Sequence, residues 1–145
     1  ELGVDPVIPA SSQRSEVKLD AARADKRLAH WRSVVAAGCE QSGRARVPTV
    51  SSPAPLAAAL DGLPAGALRL LLDPAGGLAL PTLAVEAGQP VYLAVGPEGG
   101  WSPLDREQLH AAGFQGLRLG PRILRTETAG LAAIAALQAR FGDLC

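Results

Sequence analysis

The sequence has few aromatic residues, no methionine and only two cysteines. Of its 145 residues, 3% are aromatic, and the cysteines are Cys39 and Cys145. Two cysteines this far apart match neither a zinc-ligand spacing nor the disulfide framework of a small secreted protein, so we interpret both as unpaired thiols. His30 and His110 have no cysteine or carboxylate at ligand spacing. No metal site is predicted.

Long apolar runs and an excess of one charge are also missing. Gly, Pro or a charge interrupts every apolar run before the roughly 18 residues that a membrane helix requires, and no signal-peptide pattern opens the sequence. We therefore expect a cytoplasmic protein. The 14 Lys and Arg balance 14 Asp and Glu. Affinity for nucleic acid must then be local, or come from another part of the protein.

Three segments have the pattern of helices. Apolar residues recur at helical spacing over residues 17–41, and Gly43 follows where a helix-terminating glycine belongs. A second helix is predicted to begin after Ser102, which suits the N-cap, and to end near Gly113. In it Pro103 would occupy the first helical position and Asp105 the third. A last helix carries four apolar residues on one face: Leu131, Ile134, Leu137 and Phe141.

Between these helices lie short apolar runs of strand length. The clearest are residues 67–72 and 91–95, and a weaker run covers 114–119. Upstream, a strand at 47–50 and a short helix at 56–60 complete the alternation. Near-continuous apolar strands separated by helices indicate an α/β fold, with a mostly parallel sheet and helices on both faces.

Polar or glycine-rich segments follow three of the strands. They are Asp73-Pro74, Gly96 to Gly100 and Gly120 to Arg125, and in open α/β sheets such strand ends form the ligand site. The loop from Gly96 to Gly100 is neither a dinucleotide-binding nor a phosphate-binding motif, and Glu98 would repel a phosphate. A nucleoside without a polyphosphate fits better, although a tight turn between strand and helix explains the glycines equally well.

Charged residues surround the start of the last helix. Arg122 and Arg125 lie where positive charge is unfavourable to the helix dipole, which hints at an anionic partner, whereas Glu127 is favourable there. A surface ion pair is the alternative. The sequence has no Gly-x-Ser-x-Gly nucleophile motif, so hydrolase chemistry is not expected.

Several strings together resemble the bacterial ribosomal RNA small subunit methyltransferase E family. The resemblance covers nearly the whole chain, and its most specific pair is Gly-Pro-Glu-Gly-Gly with Ile-Leu-Arg-x-Glu-Thr-Ala downstream. The strings are Glu1 to Val4, Arg14-Ser15, Glu40 to Arg44 with Val47-Pro48, Gly96 to Gly100, and Leu119-Gly120 through Ala129.

This resemblance implies a SPOUT-class methyltransferase domain over residues 1–145, with a C-terminal trefoil knot. It further implies a homodimer that uses S-adenosylmethionine to methylate N3 of one uridine in 16S rRNA. Members of the family carry an N-terminal RNA-binding β-barrel and a first strand and helix before the string at Glu1 to Val4. We expect these parts to be absent from this chain, which also lacks an initiator Met.

The resemblance also implies the site residues. For the methyl transfer itself we hypothesise that Arg125 stabilises negative charge on the uracil and that Glu127 or Glu98 accepts the N3 proton. Arg14, Arg44 and Arg122 would contact RNA, with solvated surface arginines as the alternative. Two alternatives stay open: a related SPOUT enzyme acting on tRNA or on a ribose 2′-oxygen, and a non-catalytic RNA-binding module. The implied cofactor residues are Leu72, Asp73, Val95, Gly96, Pro97, Glu98, Gly99, Leu119, Gly120, Ile123 and Leu124.

Overall fold

The computed structural model describes residues 1–14 and 20–144 as alternating short strands and helices. A 3₁₀ turn, Leu80–Thr82, lies between the fourth and fifth strands. The elements, in chain order, are β1 (Ala10–Ser11), α1 (Ala21–Ser42), β2 (Ala54–Pro55), α2 (Leu56–Asp61), β3 (Leu68–Leu72), β4 (Leu78–Ala79), β5 (Val91–Ala94), α3 (Pro103–Ala111), β6 (Gln115–Arg118) and α4 (Thr126–Phe141).

Four strands form one parallel sheet, in the order β4-β6-β3-β5. In this order β6 lies between β3 and β4, although both of those strands precede it in the chain. β1 and β2 form a separate parallel pair, which an isolated bridge between Val7 and Val50 extends. The α/β class with a mostly parallel sheet is thus confirmed.

Apolar side chains cover both faces of the larger sheet. Leu70 and Leu71, neighbours on β3, are each 0% exposed, and successive strand residues point to opposite faces. Leu71 packs in a cluster with Leu109 of α3 and Leu56 of α2. Leu70 packs in a second cluster, which Leu137 of α4 joins. The continuous apolar run at β3 therefore reflects burial on both sides.

The two helix ends predicted from capping residues are confirmed. Gly43 ends α1 in the left-handed region at φ 73°, and Ser102 caps α3 by accepting the Asp105 N–H at 3.0 Å. The Asp105 carboxylate accepts the Ser102 N–H in return, which completes a capping box. α1 begins at Ala21 with Asp20 as its N-cap. Its predicted start at residue 17 lies outside the described residues, as do Ser15 and Cys145.

The apolar row of α4 is only partly buried. Leu137 packs against the cluster around Leu70, whereas Leu131 is 62% exposed and Phe141 is also exposed. Ala133 of the same helix is fully buried.

One detail of the expected fold was wrong. The predicted strand at 47–50 makes only the bridge at Val50, and the pairing with β1 comes later, at β2. Among the described residues, no helix is both long and apolar enough to span a membrane.

Candidate functional site

The three polar segments that follow the strands converge on one cleft, as the sequence predicted. A cavity of about 170 Å³ lies at the carboxyl ends of β3 and β6 and beside the loop that follows β5. All of the predicted cofactor residues except Gly99 and Gly120 line it. The lining residues are Leu72, Asp73, Pro74, Val95, Gly96, Pro97, Glu98, Gly100, Trp101, Arg106, Leu117, Leu119, Arg122, Ile123, Leu124, Thr126 and Ala129.

The loop from Gly96 to Gly100 forms a tight turn at the cleft wall. The Gly100 N–H donates to the Pro97 carbonyl at 2.8 Å, and Gly100 has φ 71°. A Cβ on Gly96 would lie 2.9 Å from the Trp101 indole nitrogen, so a larger residue there would require the indole ring to shift. The turn interpretation of these glycines is therefore correct for the loop itself. It does not exclude a ligand, because the same loop lines the cleft.

Asp73 supplies a buried carboxylate to the cleft. Its side chain accepts the Ala75 N–H at 3.0 Å and forms an ion pair with the Arg106 guanidinium. Burial alone would raise the pKa of this carboxyl. The Ala75 hydrogen bond, the Arg106 hydrogen bond and charge, and the charge of His110 together outweigh burial and lower the pKa below 3.8. Asp73 is therefore ionised at neutral pH.

Arg106 is a cleft residue that the sequence analysis missed. It lies in the first turns of α3, where the capping box and Pro103 fix the backbone. Positive charge near a helix N-terminus is unfavourable unless a partner compensates it. The same argument that singled out Arg122 and Arg125 thus applied to Arg106, and the compensating partner is Asp73.

The predicted catalytic residues lie in and near the cleft. All three residues are exposed, but only Glu98 lines the cleft; Arg125 and Glu127 lie outside its lining. Arg125 is the exposed N-cap residue of α4, and its carbonyl accepts N–H groups of Thr128 and Ala129 at 3.0 and 2.8 Å. Glu127 follows in the first helical turn, and the residues between and after them, Thr126 and Ala129, line the cleft.

The predicted RNA contacts have different surroundings. Arg122 is exposed and lines the cleft. Arg14 donates to the Gly99 carbonyl at 3.0 Å, which joins the segment after β1 to the glycine-rich loop. Arg44 is half-buried and donates to the Val4 carbonyl at 3.0 Å, so its guanidinium already serves a structural contact.

A second cavity, of about 290 Å³, adjoins the cleft and shares Val95 to Pro97 and Trp101 with it. The buried Trp101 Nε1 has no hydrogen-bond partner among the described residues. At the rim of the first cleft, Ile123 is 82% exposed, which is unusual for a large apolar side chain and leaves it available for contact. No group of three or more metal-ligating side chains occurs within the described part of the chain.

Comparison with known proteins finds relatives along nearly the whole chain. Residues 1–138 match the RNA methyltransferase domain family. The ribosomal RNA small subunit methyltransferase E of Buchnera aphidicola subsp. Schizaphis graminum is 35% identical over 144 residues, which cover 99% of this chain and 58% of the relative. The protein of that name from Mycobacterium bovis is 36% identical over 141 residues, covering 94% of this chain and 54% of the relative.

A solved structure extends the comparison to three dimensions. The ribosomal RNA small subunit methyltransferase E of Neisseria gonorrhoeae, bound to S-adenosylmethionine, superposes with a TM-score of 0.92 at 44% identity. The match covers 99% of this chain and 59% of that one. This chain thus spans somewhat more than half the length of these relatives. By its sequence match over residues 1–138, the chain belongs to the RNA methyltransferase domain family.

Proposed function

We propose that this chain is the catalytic domain of an S-adenosylmethionine-dependent enzyme that methylates N3 of a uridine in 16S rRNA. One observation carries the proposal: the cleft at the strand ends belongs to a chain that superposes, over 99% of its length, on an enzyme bound to S-adenosylmethionine. The trefoil knot that the resemblance implies for this chain is part of the proposal, and the RNA-binding β-barrel of the family is expected to lie outside the chain.

The residues of the cleft fit an adenosine that carries a positively charged sulfur. Leu72, Leu119 and Leu124 offer apolar surface for a flat base, and the exposed Ile123 can cover it. Among the charged residues that line the cleft, Asp73 is paired with Arg106, which leaves the Glu98 carboxylate to favour a cationic sulfur. Gly99 and Gly120 shape the loops from outside the cleft lining. When bound, the cofactor supplies an activated methyl group.

The protein's own task is then to align the uridine and to remove its N3 proton. Arg125, at the start of α4, would stabilise negative charge that develops on the uracil carbonyl oxygens. Glu98, which lines the cleft, or Glu127, in the first turn of α4, would accept the proton. The uridine must leave any base stack to reach a buried site, so an unpaired or extruded base is the expected substrate.

RNA and a second copy of the chain are the proposed partners. Arg14 and Arg122 are exposed and would hold phosphates, while Arg44 would contribute less because its side chain is half-buried. The exposed Leu131 of α4 supports a homodimer through that helix. Sedimentation of the protein and of Leu131→Glu tests the dimer. We further propose a cytoplasmic location, because the small ribosomal subunits that would be the substrate lie there.

Cofactor binding is the first test. Calorimetric titration of the protein with S-adenosylmethionine should show binding, and titration with ATP should not, because the loop from Gly96 to Gly100 lacks a phosphate-binding motif and carries the Glu98 carboxylate. Binding of ATP alone, or of neither ligand, would contradict the proposal.

Methyl transfer is the second test. Small ribosomal subunits lacking the modification are incubated with the protein and S-adenosylmethionine, and the nucleosides of their RNA are then analysed for N3-methyluridine. Arg125→Ala should lower turnover by about 100-fold with little change in cofactor affinity, by analogy with the loss of one transition-state donor. Arg27→Ala, which removes an exposed arginine of α1, is the matched control. A ribose-methylated product would support the related enzyme class, and no product with intact cofactor binding would support a non-catalytic module.

A further inference from the structure

The ion pair between Asp73 and Arg106 lines the cleft, and the proposed function assigns neither residue a contact with a particular part of the cofactor. Asp73 directly follows β3 and is 8% exposed, and its side chain contacts Arg106 of α3. The Arg106 side chain is 37% exposed, so the pair is buried on its acidic side and open on its basic side. Both residues line the cleft.

The Asp73 carboxylate keeps hydrogen-bonding capacity for a ligand. An ionised carboxylate has about four acceptor sites on its two oxygens. Oδ1 accepts the Ala75 N–H at 3.0 Å, and Oδ2 accepts the Arg106 guanidinium. Each oxygen therefore retains a lone pair. Since the group is ionised at neutral pH and shielded from solvent, a hydroxyl donor entering the cleft would find a strong acceptor there.

We propose that the Asp73 carboxylate accepts hydrogen bonds from the ribose hydroxyls of the adenosine part of the cofactor, and that Arg106 is the positioning residue that holds this carboxylate. The inference rests on the proposed function and adds to it the group that recognises the sugar. An acidic side chain that binds ribose hydroxyls is a general solution in nucleotide sites of parallel sheets. Backbone groups alone would provide no comparable charge-assisted bond.

Arg106 is suited to positioning because its backbone is fixed. The reciprocal bonds between Ser102 and Asp105 define the start of α3, and the Gln13 N–H also donates to Asp105 at 3.2 Å. The guanidinium thus projects from a rigid helix end. Without it, the buried carboxylate would lose its charged partner and would turn towards solvent or bind a proton.

The test compares ligands that differ by one hydroxyl. The protein is titrated with S-adenosylhomocysteine and with its 2′-deoxy and 3′-deoxy analogues. Loss of a hydroxyl that bonds to Asp73 should weaken binding by about 10- to 100-fold, the fold-change expected for one hydrogen bond to a charged group. This comparison needs no variant, so it does not depend on the folding of any mutant.

Variants then assign the effect to the pair. Asp73→Ala should bind all three ligands with nearly equal affinity. In the protein without substitutions, the affinity for S-adenosylhomocysteine divided by the affinity for a deoxy analogue gives the discrimination ratio. Arg106→Gln should reduce this ratio at least threefold, and Arg106→Lys should restore part of it. Arg23→Gln breaks the exposed pair with Asp20 on α1 and is the matched control, with an unchanged ratio. A purely structural role for Arg106 would weaken all three ligands alike and leave the ratio unchanged.

The outcomes separate the two proposals. If the protein binds S-adenosylhomocysteine but tolerates both deoxy analogues, the ribose inference is wrong while the proposed function stands. The same holds if Asp73→Ala keeps the full discrimination, because another group then reads the sugar. If the protein binds none of the three ligands, the proposed function itself fails, and the ribose inference fails with it.

Discussion

Gly76 and Gly116 bring two backbone segments together with no room for a side chain. Gly76 lies in the loop between β3 and β4, and Gly116 lies on β6. A Cβ on Gly76 would lie 2.5 Å from the Gly116 carbonyl oxygen and 2.9 Å from the Leu117 nitrogen. The first distance is about 0.9 Å short of ordinary contact, which begins at 3.4 Å. Because the obstacle is backbone within the sheet, it cannot rotate away.

Gly76→Ala should therefore lower the free energy of unfolding by about 1–3 kcal/mol, the usual cost of overpacking. Gly77→Ala is the matched control, since a Cβ at Gly77 would meet nothing within 4 Å. Neither glycine has a positive φ, so only the contact distinguishes them. The control should change stability by about 0.5 kcal/mol or less.

Urea denaturation of both variants measures the difference directly. Gly76→Ala should also weaken binding of S-adenosylmethionine, because the Gly76 N–H donates to the Asp73 carbonyl at 2.9 Å and a shifted loop moves Asp73. Equal urea midpoints for the two variants would refute the argument, whether both variants are as stable as the parent or both are equally destabilised.

Three smaller predictions concern single groups. The folded-state pKa of Asp73 is below its ordinary value of 3.8, so ionised Asp73 adds stability above that value that is lost as pH falls through the folded pKa. Asp73→Asn should then show a shallower fall in the free energy of unfolding between about pH 5 and pH 3. Ser102→Ala should cost about 1 kcal/mol in urea denaturation by removing the α3 cap, whereas the exposed Ser33→Ala should cost little. Gly43→Ala, at φ 73°, should lower the free energy of unfolding by about 1 kcal/mol, while Gly62→Ala, at φ −89°, should not. Equal effects of the two serine substitutions, or of the two glycine substitutions, would contradict the reasoning.

The sequence predicted the parts of the fold that depend on local patterns. Capping at Ser102 and the end of α1 at Gly43 follow from side-chain and backbone preferences within a few residues. The burial of Leu70 and Leu71 on opposite faces follows from an uninterrupted apolar run. Convergence of the three loops follows from the shared edge of parallel strands, although the sequence leaves their ligand open.

Other features depend on contacts between distant residues and were not predictable. The pairing of Arg106 with Asp73 joins positions 33 residues apart, and the contact of Gly76 with Gly116 joins two glycines that no local pattern connects. The exposure of Leu131 likewise depends on how α4 packs against the rest of the chain, which its apolar row alone does not specify. The structure places Arg125 at the N-cap of α4, but its role in methyl transfer, like the roles of the other proposed site residues, is still a prediction.

The place of β6 between β3 and β4 has a consequence for how the chain folds during synthesis. All neighbouring strands in the larger sheet are parallel, so no local hairpin can nucleate it. Until residues 115–118 have left the ribosome, β3 and β4 lack the strand that joins them, and each has an open edge. The sheet is therefore completed late and through contacts between distant residues, which favours slow folding. Until β6 has been synthesised and has paired, the open strand edges leave the nascent chain prone to aggregation.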